Sequence, residues 1–279
     1  MAVPLPGCAD QRDVVMISIA AANARYIRLV QAPNPSPMTL DGTNTWVITD
    51  AEAGAVVIDP GPAIDSHLDA IWAVCEPRLG MIVLTHRHLD HSEGATMLAE
   101  RAGCGVRAAD SEFRIGPDGL DAGEQLTLGA ITLEVFETPG HTSDSRSLLL
   151  SGPDRVSRLI TGDMILGRGT TVITHPDGDL AAYLDSLDLL ERLVTNRGVR
   201  ELLPGHGPIV TEPTSWLSFY RQHRHERLDQ VRAALAAGGR TPSEVVARVY
   251  ADVDRSLWPA AEQSVRSQLD YLERKGQVP

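Results

Sequence analysis

The sequence of 279 residues contains one lysine, three cysteines and no apolar run of the roughly 20 residues needed to cross a bilayer. Cys8, Cys75 and Cys104 are too few to form a disulfide framework, which favours a reducing, cytoplasmic compartment. No basic segment precedes the apolar stretch 14–22, so we do not expect a signal peptide. Because Lys275 is the only lysine among 25 basic residues, the composition is typical of a GC-rich bacterial genome.

Acidic residues outnumber basic ones, and the formal net charge is -12. A chain of this charge lacks the long-range field that attracts nucleic acids, so we expect no duplex DNA partner and no membrane partner. Any contact with nucleic acid would need a local basic surface. The C-terminal segment 213–279 is the part with a positive balance, since it holds 10 basic and 8 acidic residues. Nothing in the sequence indicates an oligomeric state.

Strand and helix patterns alternate up to about residue 210, and helical patterns follow. The sequence therefore predicts an α/β catalytic domain over 25–212 and a small helical domain over 213–279. Residues 1–24 are predicted to be an N-terminal extension, for which disorder is one interpretation. The predicted strands are 26–30, 45–49, 55–58, 81–85, 126–128, 131–137, 147–150, 159–161 and 201–203. Three helices are predicted in the first domain: 63–75, a helix that is capped by Ser92 and ends at Gly103, and 181–195.

The tail contains three helical patterns. Thr241 to Glu244 form a capping box with proline at the first helical position, and the last helix ends at Gly276. Helix 216–232 is basic and partly aromatic, and we interpret it as a candidate surface for substrate, although a solvated helix face is the alternative. The residues that suggest this surface are Tyr220, Arg221, Arg224 and Arg227.

Four potential metal ligands lie within six residues, directly after a predicted buried strand: His86, His88, Asp90 and His91. Imidazole and carboxylate groups suit zinc, iron or manganese. His86 and His88 are two residues apart, so in an irregular loop both can turn towards one ion. Asp90 and His91 are adjacent and cannot easily share that ion. The spacing therefore predicts two ions side by side.

Three later segments, 137–141, 161–163 and 203–207, each run from a predicted strand into a glycine turn that carries a potential ligand. Glycine beside a ligand lets the backbone approach closely, and loops at strand ends are where sites collect. A single histidine or aspartate is more often structural, but three of them in such turns would add to the four potential metal ligands at 86–91. The three residues are His141, Asp163 and His206.

The spacing His-x-His-x-Asp-His at 86–91 resembles the signature of the metallo-β-lactamase superfamily, and the three later residues match its further metal motifs in order. The resemblance covers about residues 25–210 and implies a four-layer αββα sandwich. It also implies two divalent ions, Zn²⁺ in the first place and Fe or Mn as alternatives. By this resemblance His86, His88 and His141 would hold one ion, Asp90, His91 and His206 the other, and Asp163 would bridge them.

Two details refine the resemblance. A bridging aspartate such as Asp163 is found in thioesterases and phosphodiesterases of the superfamily and not in its true β-lactamases. Segment 35–45 resembles the β-lactamase-like protein 2 group, which includes endoribonucleases of single-stranded RNA and carries a C-terminal winged helix. The tail leaves almost no room for a wing hairpin, which disfavours duplex binding. Asp59 resembles an aspartate that orients a ligand histidine, with an ordinary turn residue as the alternative.

These observations predict a dinuclear metal-dependent hydrolase. A hydroxide shared by the two ions would attack the substrate, Asp163 would hold the ions together and Asp90 would orient the hydroxide. The leading hypothesis is phosphodiester hydrolysis of single-stranded RNA. The alternative is thioester hydrolysis as in glyoxalase II, although the sequence shows no clear counterpart of its glutathione-binding basic residues. A non-enzymatic partner-binding module is disfavoured, because structural zinc sites are usually closed cages of four Cys and His ligands.

Overall fold

The computed structural model describes residues 16–19, 24–75 and 78–277, and of residues 16–19 only the backbone. The first half of the chain forms a six-stranded sheet in the order β1-β2-β3-β4-β5-β6. Its first four strands pair antiparallel, and β4, β5 and β6 pair parallel. The strands are β1 (Met16–Ile19), β2 (Ile27–Gln31), β3 (Asn44–Asp50), β4 (Gly54–Ile58), β5 (Leu79–Val83) and β6 (Gly105–Arg107).

A second sheet of five strands follows, in the order β11-β10-β9-β8-β7. Strands β7 to β10 pair antiparallel, and β11 pairs parallel with β10. The strands are β7 (Gln125–Leu128), β8 (Ile131–Glu137), β9 (Arg146–Ser151), β10 (Ser157–Gly162) and β11 (Val199–Pro204).

Helices cover the outer face of each sheet. Helices α1 (Asp65–Cys75), α2 (Leu89–Ser92) and α3 (Ala95–Ala102) belong to the first half of the chain, and α1 and α3 pack on the first sheet. The second sheet is covered by α4 (Leu180–Arg197) and α5 (Pro213–Ala236), and α6 (Pro242–Val249) and α7 (Trp258–Arg274) pack against these helices and each other. The four layers α/β/β/α confirm the predicted sandwich. None of the described helices is both long enough and apolar enough to span a bilayer.

The core has three parts that correspond to the interfaces between layers. Apolar side chains from both sheets, among them Trp46, Ile58 and Leu148, fill the space between the sheets. A second cluster lies under α1 and α3. The third joins the second sheet to the tail helices, where Leu187 of α4 packs in the same cluster as Leu217 of α5 and Leu272 of α7. The tail is therefore continuous with the hydrophobic core of the sandwich.

Some details differ from the sequence-based expectations. Ser92 does not cap the following helix, because its hydroxyl donates to the carbonyl of Arg87 at 3.0 Å and it ends α2. Helix α3 begins after Gly94, whose N–H donates to Gly61 O at 2.9 Å. A Cβ at Gly94 would lie 3.2 Å from that carbonyl oxygen, so the close approach favours glycine. The helix end at Gly103 is confirmed.

Strands β1 and β6 were not predicted, since both are short and β1 lies within the segment interpreted as an N-terminal extension. The rest of that interpretation, over residues 1–15 and 20–23, falls outside the described residues. The predicted capping box at Thr241 and Glu244 is present in both directions. No strand follows α5 in the part of the chain that the structure describes, in keeping with the short tail.

Candidate metal centre

The seven predicted ligands come from five places in the chain and meet at one edge of the two sheets. Two of them, His86 and His88, lie in the turn after β5, and Asp90 and His91 lie on the short helix α2 that follows. The other three, His141, Asp163 and His206, follow β8, β10 and β11. The loops at the carboxyl ends of parallel strands thus converge as the sequence indicated.

The first group of potential ligands consists of three imidazole rings. His88 Nδ1 lies 3.1 Å from His86 Nε2 and 3.0 Å from His141 Nε2, so three ring nitrogens face one another. Neutral imidazoles offer lone pairs at such positions, and a cation placed among them would satisfy all three. The arrangement therefore fits a metal ion held by His86, His88 and His141.

A second group lies beside the first. His206 Nε2 is 3.2 Å from His91 Nε2 and 3.2 Å from Asp90 Oδ2, and His91 Nε2 is 3.6 Å from the same carboxylate oxygen. His91 and His206 are almost completely buried, whereas the Asp90 side chain is 31% exposed. Two imidazoles and one carboxylate again form a donor set suited to a divalent ion.

Asp163 lies between the two groups. Its Oδ2 is 3.7 Å from His141 Nε2 of the first group and 3.4 Å from His206 Nε2 of the second. Its Oδ1 is buried without a well-aligned hydrogen-bond donor among the described residues, and His91 Nε2 lies 3.5 Å away. A Cβ at Gly205 would lie 2.5 Å from this oxygen, so glycine is needed there for the approach. The carboxylate occupies the position expected of a ligand shared by two ions.

Contacts outside the two groups fix the orientation of the imidazole rings. His91 Nδ1 donates to Asp59 Oδ2 at 2.9 Å, His141 Nδ1 donates to the carbonyl of Val172 at 2.6 Å, and the corresponding distance from His206 Nδ1 to Gly42 O is 3.3 Å. Because Nδ1 carries the proton in each case, Nε2 presents its lone pair to the centre. Asp59, which the sequence suggested as a residue that orients a ligand histidine, is therefore in direct contact with His91.

Burial and neighbouring charges shift the pKa values of these groups in opposite directions. Burial lowers the pKa of His141 to about 4 and that of His86 well below its usual value, which keeps both rings neutral. Burial also opposes protonation of His206, but the Asp163 carboxylate outweighs it and raises the pKa of His206 to about 9. Metal binding releases protons from such ligands, so a cation would take the place of the proton beside Asp163.

A cleft of about 280 Å³ opens from His141 and Asp163 towards the tail. Segment 35–45 and the loop after β10 form two of its walls, and α5, α7 and the connection between α6 and α7 form the remainder. Most of the lining is apolar, with basic groups among it. The apolar residues are Pro37, Met38, Leu40, Leu166, Val172, Tyr250, Val253, Leu257, Ala260 and Ala261, and the basic ones besides His141 are Arg168, His223, Arg224 and Arg227.

Helix α5 does not present the single substrate-facing surface that its sequence suggested. Tyr220 is fully buried and its hydroxyl accepts a hydrogen bond from Leu166 N at 2.8 Å, so it cannot stack on a substrate. Arg221 faces α4, where it pairs with Asp188 and, at 2.9 Å, with Glu191. Arg224 and Arg227 line the cleft, so that part of the expectation agrees with the structure.

One feature of the site had no sequence signal that we could use. The loop after β10 supplies the Val172 carbonyl to His141, and the hydroxyl of Thr171 lies 3.2 Å from the same ring nitrogen. Both residues lie in an irregular segment without hydrophobic periodicity. A backbone carbonyl can come from any residue type, so only the fold reveals this contact.

Comparison with known proteins agrees with this geometry. Residues 38–206 match the family described as the Metallo-beta-lactamase superfamily, and residues 241–279 match the Beta-lactamase associated winged helix domain. The chain is 30% identical to the Beta-lactamase-like protein 2 homolog of Drosophila melanogaster, over 88% of this chain and 87% of that protein. It is 29% identical to the Atrochrysone carboxyl ACP thioesterase of Aspergillus fumigatus, over 81% of this chain and 73% of that protein.

Solved structures support the fold. A beta-lactamase domain protein from Burkholderia ambifaria superimposes with a TM-score of 0.77 at 21% identity, covering 98% of this chain and 91% of that chain. The match over more than half of the chain, together with the relatives, removes the alternative of a non-enzymatic binding module. The chain belongs to the metallo-β-lactamase superfamily and is a metal-dependent hydrolase.

Proposed function

We propose that the protein hydrolyses a thioester whose acyl part is largely apolar. The observation that carries this proposal is the cleft that opens from His141 and Asp163, because most of its lining surface is apolar. Such a lining stabilises an acyl chain by removing it from water. The cleft also leads directly to the potential metal ligands, so the thioester carbonyl at the end of a bound acyl chain would lie beside them.

Two divalent ions, which we propose to be zinc, would activate water and polarise the substrate carbonyl. His86, His88 and His141 would hold one ion, Asp90, His91 and His206 the other, and Asp163 both. Asp90 is the more exposed of the two carboxylates at the centre, with 31% of its side chain accessible compared with 10% for Asp163. It is therefore the carboxylate that we assign to accept a hydrogen bond from the attacking water.

The relatives supply a second support for a thioester substrate. The Aspergillus fumigatus protein is named as a thioesterase of an acyl carrier protein, and this chain is similar to it over most of both lengths. The position of Asp163 between the two groups agrees with the thioesterase and the phosphodiesterase branches alike, so it does not separate the two candidates. We further propose a cytoplasmic location, in keeping with the small number of cysteines.

Phosphodiester hydrolysis of single-stranded RNA is the second candidate. Segment 35–45, which resembles the group that contains endoribonucleases, forms a wall of the cleft through Pro37, Met38 and Leu40. Arg168, on the neighbouring wall that the loop after β10 forms, pairs with Asp41 of this segment at 3.2 Å. However, the Tyr220 side chain that was expected to stack on unpaired bases is buried, which leaves this hypothesis with less support than the thioester.

The two candidates are separated by testing one zinc-loaded preparation on four substrates. These are a hexanoyl thioester, an acetyl thioester, a single-stranded RNA and a chromogenic β-lactam. We expect the hexanoyl thioester to be preferred over the acetyl one, and the β-lactam to be turned over with kcat/KM below about 10⁴ M⁻¹s⁻¹, the low end of ordinary enzyme efficiency. RNA cleavage with no thioester turnover would contradict the proposal and favour the second candidate.

A further inference from the structure

Arg224 of α5 is a buried cation without an acidic partner. Only 3% of the residue is exposed, and among the described residues no carboxylate lies within ion-pairing distance of its guanidinium. One of its nitrogens donates to the carbonyl of Thr171 at 2.6 Å, and the group lies 4.7 Å from the centre of the Tyr183 ring. Its Nε is buried and makes no hydrogen bond. The side chain lines the cleft that leads to Asp163.

The contrast with Arg158 shows what is missing. Arg158 is equally buried, but it pairs with Asp154 at 2.9 Å and with Glu201 at 2.6 Å. A buried charge costs several kcal/mol of desolvation unless an opposite charge or hydrogen bonds compensate for it. A carbonyl and an aromatic face compensate for part of this cost at Arg224. The remainder, together with the free Nε–H, would be compensated by an anion in the cleft.

Two neighbours on the same helix extend the group of donors. The Arg227 guanidinium lies 4.5 Å from the centre of the Tyr250 ring and donates to Val249 O at 3.1 Å, again without a carboxylate partner in the described chain. Its Nε lies 3.4 Å from His223 Nε2, which accepts that hydrogen bond. The proton of a neutral His223 must then be on Nδ1, which is buried and unpartnered.

The protonation state of His223 is consistent with this assignment. Burial, together with the adjacent charges of Arg224 and Arg227, lowers the pKa of His223 to about 4. The ring is therefore neutral near pH 7 and offers one N–H. Three side chains that line one part of the cleft thus present donors, and none of them has an acidic partner among the described residues.

We propose that Arg224, Arg227 and His223 bind an anionic oxygen group, a carboxylate or a phosphate, at the end of the acyl part that is remote from the metal centre. The substrate class is then a thioester of an acyl chain that carries a second, negatively charged group. This inference rests on the proposed thioester hydrolysis for the identity of the bond that is cleaved. The binding of the anion itself follows from the buried donors.

Binding of product-like acids to the zinc-loaded full chain tests the inference. Titration calorimetry would compare α,ω-dicarboxylates of four to ten carbons with monocarboxylates of the same length, and with acids that carry a terminal phosphonate. One carboxylate mimics the acyl product at the metal centre, and the second probes α5. We expect one chain length to bind at least about tenfold more tightly than its monocarboxylate. The dicarboxylate and phosphonate arms show which anion is preferred.

Variants of α5 locate the effect. Arg224→Gln and Arg227→Gln should each abolish the preference for the second anionic group, measured as a larger loss of affinity for the dicarboxylate than for the monocarboxylate of the same length. Arg221→Gln is the matched control, because Arg221 lies on the same helix, faces α4 and does not line the cleft. If Arg224→Gln fails to fold, Arg224→Lys keeps the charge and should retain part of the preference, and Arg227→Gln remains informative.

The outcomes are separable from those for the proposed function. Equal binding of mono- and dicarboxylates at every length would overturn the inference even if thioesters are hydrolysed. A dicarboxylate preference that is lost in Arg224→Gln would support the site even if no thioester is turned over.

Discussion

Asp59 accepts a hydrogen bond from His91 Nδ1 at 2.9 Å, and both side chains are excluded from solvent. The carboxylate is itself held by the backbone N–H and the hydroxyl of Thr85, each at 2.7 Å. Asp59 has a φ of 52°, a conformation that Asp and Asn adopt more readily than other residues with a side chain. The pair therefore aims the Nε2 lone pair of His91 at the metal centre from a fixed position.

We expect Asp59→Asn to lower metal affinity by about 10- to 100-fold, the effect typical of losing a partner that orients a ligand histidine. Asparagine fits the same backbone conformation, but its amide cannot replace a carboxylate towards both Thr85 and His91. Chelator competition measures the affinity. Asp69→Asn, at a side chain that is 70% exposed, is the control and should have no effect. Unchanged affinity in Asp59→Asn would show that the contact is only structural.

Metal removal should lower stability. The metallated protein is expected to contain two divalent ions per chain by elemental analysis, since the seven ligands form two adjacent groups. Extraction with a chelator should reduce the free energy of unfolding by about 3–4 kcal/mol for each bound ion where free metal had been 100- to 1,000-fold above Kd. If the protein binds no more than one ion while all seven ligands are intact, the assignment of two ions is wrong.

Asp163→Asn should reduce turnover at least about 100-fold, because a neutral amide cannot compensate for the charge of two ions that share the position. The fold should persist, as judged by circular dichroism, since the side chain contacts the metal ligands and not the apolar core. Asp185→Asn, on the exposed face of α4, is the control. Turnover close to that of the unmodified protein with two bound ions would refute the shared role.

Tyr220→Phe should cost about 1–3 kcal/mol of unfolding free energy, because the N–H of Leu166 loses its acceptor in a buried environment. Urea denaturation provides the measurement. The control is Tyr271→Phe, since the hydroxyl of Tyr271 has no hydrogen-bond partner in the described chain, and a change below about 0.5 kcal/mol is expected there. Equal effects of the two substitutions would mean that the Tyr220 hydroxyl does not hold the loop.

His67 should make the fold sensitive to acid. Its ring is completely buried beside Thr45 Oγ1 at 3.0 Å, and burial lowers its pKa to about 4 from the ordinary 6.5. Since the unfolded chain takes up the proton first as pH falls, the stability present above pH 6.5 decreases between pH 6.5 and 4, by up to about 3 kcal/mol.

The comparison for this prediction is His67→Gln, which retains a donor towards Thr45 but does not titrate. Urea unfolding of both chains in the presence of a chelator, at pH 7 and pH 4.5, removes the contribution of metal release. The unmodified protein should lose more stability on acidification than the variant. Parallel losses would exclude His67 as the cause.

The sequence was sufficient to predict which side chains meet at the candidate metal centre, because that information is local. The residues from His86 to His91 follow one strand directly, and each later ligand follows a strand that was recognisable from its apolar residues. The arrangement of Tyr220 and Arg221 was not predictable, because helix α5 has apolar, basic and aromatic residues around its circumference. Which side is buried depends on α4 and on the loop after β10, both distant in sequence.

The two groups of ligands are supported by different parts of the chain. His91 and His206 are anchored by Asp59 and by the carbonyl of Gly42, both within the sandwich. His141 is anchored by the carbonyl of Val172, which lies in the loop after β10. Two tail helices hold this loop. Arg224 of α5 donates to Thr171 O, and the hydroxyl of Ser264 on α7 accepts from Ile173 N at 3.2 Å. If two ions bind as proposed, a proteolytic cut or a partner that loosened the tail would therefore release the ion held by His141 and leave the other in place. Half-occupied protein would then be a signature of tail damage, and metal content could serve as a sensor of tail docking.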